Sequence, residues 1–168
     1  MDEKNIYAPP QSTLETQSSN DQVELASRWY RLWGALIDGL IAMVIWLPVL
    51  YLTDYWERAL EGQLTLIETT ISGILGFLLF ILLHSYLLAK NGQTIGKMVV
   101  GTKIVSVTSN EILPLGKVLL LRYLPISVVT QLPMVGQFFV LVDSLAIFSK
   151  EKRCVHDLIA GTKVIKAR

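Results

Sequence analysis

Between Leu32 and Leu52 the chain runs for 21 residues with a single charge, Asp38. As an α-helix this stretch is about 30 Å long, the thickness of a bilayer's hydrocarbon core. A carboxylate inside such a segment costs about 2.5–3.5 kcal/mol on insertion scales, so Asp38 calls for a partner or a role. Arg31 lies two helical turns earlier, on the same face.

Two further apolar runs follow. Thr69 to Ala89 is again 21 residues long, with His84 its only group that titrates near neutral pH, and Val118 to Phe148 is 31 residues long. A hydrophobic content of 52% against 17% charged residues, and a mean hydropathy of +0.47, are too apolar for an ordinary soluble domain. The third run contains Pro125 and Pro133. As one helix it measures about 46 Å, too long for a simple span; split near Pro133, each half is only about 20 Å. The expected fold class is an all-α polytopic membrane protein. It has two transmembrane helices, at about 32–52 and 69–89, and a Pro-broken third stretch over 118–148, with a small cytoplasmic β element.

The flanks complete this division. Residues 1–26 are polar, with no apolar leader segment, and read as a disordered cytoplasmic tail ahead of a membrane domain over 27–168. Asn20 or Asp21 is placed to cap a helix starting near Gln22. Trp29, Tyr30 and Trp33 mark one membrane interface; Tyr51, Tyr55 and Trp56 mark the other. Ser72 and Gly76 have the small-xxx-small spacing that lets a second helix approach. In the middle loop Asn91-Gly92 signals a turn, Val99–Val107 a strand, and Glu111–Leu115 a short partner strand. Gly101-Thr102-Lys103-Ile104-Val105 returns as Gly161-Thr162-Lys163-Val164-Ile165. That repeat predicts a strand pair between 101–107 and 161–167.

Charge sets the topology. Lys4, Arg28 and Arg31 precede the first run, and only Arg58 sits in the first connection. Lys90, Lys97, Lys103 and Lys117 occupy the second connection, and six basic residues follow Phe148. The positive-inside rule then puts both termini and the middle loop in the cytoplasm. Three simple crossings cannot do this, so the third run must turn back near Pro133-Met134-Val135-Gly136. A single tilted third span with an external tail is the alternative.

The polar residues of the runs share a depth. Asp38 is seven residues past Arg31, His84 six before Lys90, and Asp143 seven before Lys150. Each lies about 9–11 Å below the cytoplasmic surface, with Arg122 slightly shallower. Two readings are open. In one, Arg31, Asp38, His84, Arg122 and Asp143 form a water-accessible pocket that binds a cation or relays protons. In the other, Arg31–Asp38 and Arg122–Asp143 are ion pairs that lock the bundle.

No phosphate-binding loop, metal-ligand spacing or nucleophile elbow is present, so neither an enzyme nor a cofactor nor a metal is expected. The single cysteine, Cys154, excludes an internal disulfide and reads as a bystander thiol in a reducing compartment. Nothing points to nucleic acid. The expected partners are the bilayer, anionic lipid headgroups, further copies of the chain and other membrane proteins.

Three patches resemble one family. Arg31-Leu32-Trp33-Gly34-Ala35-Leu36-Ile37-Asp38 is similar to the opening of the first helix of RDD family membrane proteins. Gly92-Gln93-Thr94-Ile95-Gly96-Lys97, followed by Val99–Val105, resembles that family's middle loop. Arg153-Cys154-Val155-His156-Asp157 with Leu158–Thr162 resembles its C-terminal signature. The resemblance assigns the family's arginine and first aspartate to Arg31 and Asp38. The second aspartate is Asp157 or Asp143, with Asp157 the better match. Gly92, Gln93, Gly96, Lys97, Arg153, His156 and Asp157 form the family-motif loops. The resemblance implies a bacterial inner-membrane protein and hints at cation/proton exchange, since some members are associated with it. Two function classes follow: transport of a cation or small solute through the polar pocket, or a non-catalytic scaffold that binds another membrane protein.

Overall fold

The computed structural model describes residues 24–132, 135–149 and 153–167. The expected disordered tail up to residue 23, its candidate caps Asn20 and Asp21, and the bend residues Pro133 and Met134 lie outside the described residues. So do the basic residues Lys4, Lys150, Lys152 and Arg168.

Helix α1 spans Arg28–Leu52 and α3 spans Leu66–Asn91, with short α2 (Tyr55–Leu60) between them. At about 1.5 Å per residue the long helices measure roughly 37 and 39 Å. Both are long and apolar enough to cross a membrane, and none of the most apolar 18-residue window of either is buried. Leu40, Val44, Leu47, Leu75, Leu78 and Leu82 stand largely bare. Apolar surface this extensive needs a partner other than water. α1 begins at Arg28, not near Gln22, and Ser27 holds the N-cap position. α3 begins with a capping box: Thr65 Oγ1 accepts from the Glu68 N–H, and Glu68 accepts from the Thr65 N–H at 2.9 Å.

The third apolar run is not one helix. α5 (Leu115–Val118) passes through a π-helical stretch, Leu119–Tyr123, into α6 (Leu124–Val129). Pro125 has no N–H for the carbonyl four residues earlier, so the chain widens there and stays helical instead of breaking. After a turn at 130–132, α7 runs from Val135 to Ala146 and packs against α6.

At one end of these helices sits a small cap. Its elements are α4 (Ile95–Val99), β1 (Thr102–Ser106), α8 (Val155–Ala160) and β2 (Thr162–Lys166). The repeated motif forms the expected pair: β1 and β2 are antiparallel, with Thr102 opposite Lys166 and Ser106 opposite Thr162. The strand expected over Val99–Val107 is shorter, because its first residue ends α4. The partner strand expected over Glu111–Leu115 does not form; Glu111 contributes one hydrogen bond, accepting from the Ser106 N–H at 2.8 Å. The third strand-like segment lies instead on the other side of the sheet, beside β2, and is residues 24–26, which composition groups with the tail. Leu25 bridges Ile165, and the Ala26 N–H donates to the Val164 carbonyl at 3.0 Å. Ala26 is fully buried, in a core with Leu88, Ile104, Leu113, Val118 and Val164.

α4 ties the cap to the long helices by crossing α1 at Gly34 and Gly96. A Cβ at Gly96 would overlap the Gly34 carbonyl oxygen and come within 2.9 Å of the Asp38 carboxyl carbon. Gly76, by contrast, faces open space. Its small-xxx-small step with Ser72 lines a cleft and is not filled by another helix of this chain; Gly73 is the close approach, against Gln131. Gly96→Ala is therefore expected to cost about 1–3 kcal/mol through forced backbone separation, read as a lower thermal midpoint of the detergent-solubilised protein. Gly76→Ala is expected to leave that midpoint unchanged.

Candidate functional site

The cap and the helices meet at Asp157, in the first turn of α8 and almost wholly buried. Arg122, in the π-helical stretch, donates through Nη1 to Asp157 Oδ1 and also to Thr162 Oγ1. Arg31 approaches from α1, its Nη1 3.4 Å from Asp157 Oδ2 and its Nη2 donating to the Val164 carbonyl at 2.9 Å. Thr162 Oγ1 and the Cys154 N–H donate to the same carboxylate. Arg153 closes the loop from outside, donating to the carbonyls of Thr162 and Asp157, each at 3.1 Å. Burial pushes the Asp157 pKa up, but the charges of Arg122, His156 and Arg31 outweigh it and hold the carboxyl at about 2.

The two ion pairs expected from spacing, Arg31–Asp38 and Arg122–Asp143, are therefore not those that form: both arginines converge on Asp157. Helical side chains lean towards their own N-terminus. Arg31 thus points away from Asp38, which is about 10 Å deeper along the axis, and towards the cap.

Asp38 serves α4 instead. Its Oδ1 accepts from the Gly96 N–H at 2.6 Å and its Oδ2 from Thr94 Oγ1 at 2.5 Å. These donors belong to the start of α4, where backbone N–H groups lack helical partners. The structure also brings His84 to Asp38, with Nε2 4.0 Å from Oδ1. His84 Nδ1 accepts from the Ile95 N–H at 3.3 Å. That bond puts the ring proton on Nε2, facing the carboxylate. The motif loop owes its shape to the same contacts. Gln93 is buried and donates to the Thr102 carbonyl at 2.8 Å. Gly92 ends α3 at φ 65°, where a Cβ would press on the Ile104 carbonyl.

Asp143, on α7, pairs with α8. Its Oδ1 accepts from the His156 N–H at 3.0 Å, and its Oδ2 lies 2.7 Å from His156 Nδ1. Burial and the Arg122 charge lower the His156 pKa against the pull of Asp143. Burial and the two neighbouring carboxylates push the Cys154 thiol up to about 11, so it is an unreactive thiol. Asp143, Cys154 and His156 nevertheless offer ligand atoms within 4.8 Å of one another. Both Asp143 oxygens are already engaged by His156, and Arg122 stands close by. The trio could hold a divalent metal only by giving up the contact that joins α7 to α8.

The five residues predicted to form one polar pocket thus separate into an Asp38–His84 pair under α4 and an Arg31–Arg122–Asp157 cluster under β2, with Asp143–His156 beside the latter. Thr94 and Thr162 escaped the sequence reading. The signal for Thr162 was present, since it follows the glycine of the repeated motif as Thr102 does, and both threonines are fully buried.

Asp157→Asn leaves two buried guanidiniums without their counter-charge and is expected to cost about 3–5 kcal/mol. Asp38→Asn loses only charge-assisted hydrogen bonds, about 1.5–3 kcal/mol. Thermal melts in detergent should rank the variants in that order. The pH dependence has a sign. The Asp157 pKa is depressed on folding, so its contribution is complete above its unfolded value near ~3.9. That contribution is lost as pH falls towards about 2.

The sequence profile of the RDD family matches residues 25–161. No curated protein and no solved structure matches the chain. The matched span includes every residue of the Arg31–Arg122–Asp157 cluster and the Asp38–His84 pair, and its bounds lie within a few residues of the cap strand at 24–26 and of β2. The chain belongs to the RDD family of membrane proteins.

Proposed function

We propose that the chain is a multi-pass inner-membrane protein with two crossings, α1 and α3, and a re-entrant hairpin, α5 to α7, and that both termini are cytoplasmic. The cap carries this reading. Residues 24–26, β1 and β2 are hydrogen-bonded together, so the N-terminal flank, the middle loop and the C-terminal segment share one side. Two crossings return the chain to that side; a third would not. The two arms of the hairpin, about 22 and 18 Å long, are each too short to cross. The excess of Lys and Arg on these segments makes that side the cytoplasm.

Within this topology the chain acts as a non-enzymatic binding and assembly module, not as a transporter complete in one protomer. The buried charges lie at the cap end, and their partners are in the same chain. No Asp, Glu, Lys, Arg or His occurs between residues 39 and 52 or between 69 and 83. One protomer therefore offers no charged path through the far part of its two spans. A mainly apolar cleft of roughly 410 Å³ there is walled by Trp46, Phe77 and Phe80 and carries Ser72, Gly76 and Thr130. Small and hydroxyl-bearing residues of this kind suit a helix from another membrane protein or a second copy. A second reading, proton-coupled cation exchange by a homo-oligomer, is favoured by the Asp38–His84 contact, an acid and an imidazole set together within the long helices.

Pure protein in proteoliposomes is expected to give no sodium or potassium uptake driven by a pH gradient. Uptake that Asp38→Asn abolishes in a folded protein would select the transport reading. A cytoplasm-active reporter fused after Arg168 should be active and a periplasm-active one silent; the reverse pattern would remove the hairpin.

A further inference from the structure

A cavity of roughly 620 Å³ opens between α1 and α7 beneath the cap. Its walls are apolar. Leu32, Leu141 and Leu145 line it and are about half exposed, at 46%, 56% and 56%, so it is open sideways along the helices. Its floor is charged. Among the described residues, Arg28, Arg31, Lys97 and Arg122 line it against two carboxylates, Asp143 and Asp157. Four cations facing two anions leave an excess of two positive charges.

The donors on that floor are not all used. Arg31 and Arg122 are 6% and 2% exposed, and the Nε–H of each is buried without an acceptor among the described residues. An unmet buried donor on a charged group is costly, and native structures normally supply a partner. Lys97 lines the same cavity, and among the described residues no hydrogen bond or ion pair engages its ammonium. Excess positive charge, two orphaned guanidinium N–H groups and a free ammonium at one end of an open apolar channel call for an anion joined to a hydrocarbon chain.

We propose that this cavity holds one anionic phospholipid of the cytoplasmic leaflet. Its phosphate lies among Lys97, Arg31 and Arg122, and its acyl chains lie along Leu32, Leu141 and Leu145. The assignment rests on the membrane topology proposed above, since only there does the open side of the cavity face lipid. It also reduces the surplus positive charge near the membrane surface: the lipid's phosphate offsets one of the two surplus charges, and phosphate oxygens accept readily from guanidinium and ammonium groups.

The test reconstitutes the full chain in nanodiscs of mixed phosphatidylglycerol and phosphatidylcholine and counts retained lipids by native mass spectrometry. One phosphatidylglycerol should be retained in preference to phosphatidylcholine. Lys97→Gln should lower its occupancy about tenfold, the equivalent of one charge-assisted contact. Leu141→Trp, which fills the channel, should abolish retention, and Lys117→Gln, exposed and outside the cavity, should change nothing. Size-exclusion profiles establish that each variant is folded. Equal retention of the two lipids, or unchanged retention in both folded Lys97→Gln and Leu141→Trp proteins, overturns the proposal. So does inorganic phosphate alone raising the thermal midpoint as far as the lipid does, because the site would then take a soluble anion. A failure of the topology appears separately, in the reporter fusions, whatever lipid is retained.

Discussion

One buried carboxylate holds this molecule together. Asp157 is shared by Arg31 from the first long helix and Arg122 from the π-helical stretch, and it sits at the start of the helix that leads into β2. Three segments far apart in sequence therefore meet at one charge. Removing a partner from a buried ion cluster costs far more than the intact cluster contributes, because the remaining charges stay in low dielectric. The π-helical widening is part of the arrangement. Pro125 prevents ordinary helical hydrogen bonding in the turn before it, and Arg122 lies in that turn.

The rest of the fold follows from how the cap is fastened. α1 and α3 are joined through α4, whose start is gripped from α1 by Asp38 and from α3 by His84. Gly34 and Gly96 let the α1–α4 crossing close to backbone contact. The long helices leave their apolar flanks bare, and the polar chemistry collects at one end. The buried charges thus divide the labour. Asp38 positions the middle loop, while Arg31 and Asp157 position the C-terminal segment against the helices. This division supports a structural role for those residues, and the cavity between α1 and α7 is the place proposed for a lipid.

Much of the architecture was legible in the sequence because it rests on local periodicity and length. The runs starting at Leu32 and Thr69 became the bodies of α1 and α3, and the repeated Gly-Thr-Lys motif became the paired strands. The pairing of charges was not legible. A shared helix face placed Arg31 with Asp38, and shared depth placed Arg122 with Asp143, but neither says anything about side-chain direction, and an arginine reaches back along its helix. The edge strand at 24–26 was hidden because three residues bonded to β2 carry no periodic signal. The grouping of Cys154 and His156 with Asp143 was hidden for a related reason. Asp143 lies on another helix, and only the packing of α7 against α8 brings it back.

The central claim is that Arg122 and Asp157 form one energetically coupled unit joining helix to cap. A double-mutant cycle on Arg122→Met and Asp157→Leu, with unfolding of the solubilised protein followed by denaturant, measures that coupling directly. Each single variant should be severely destabilised, and the double variant should recover part of the loss, because Arg31 alone, and no longer Arg122, is then left opposite a missing partner. The predicted coupling is at least about 1.5–3 kcal/mol. Single-variant losses that simply add in the double variant, with coupling near zero, would contradict this account.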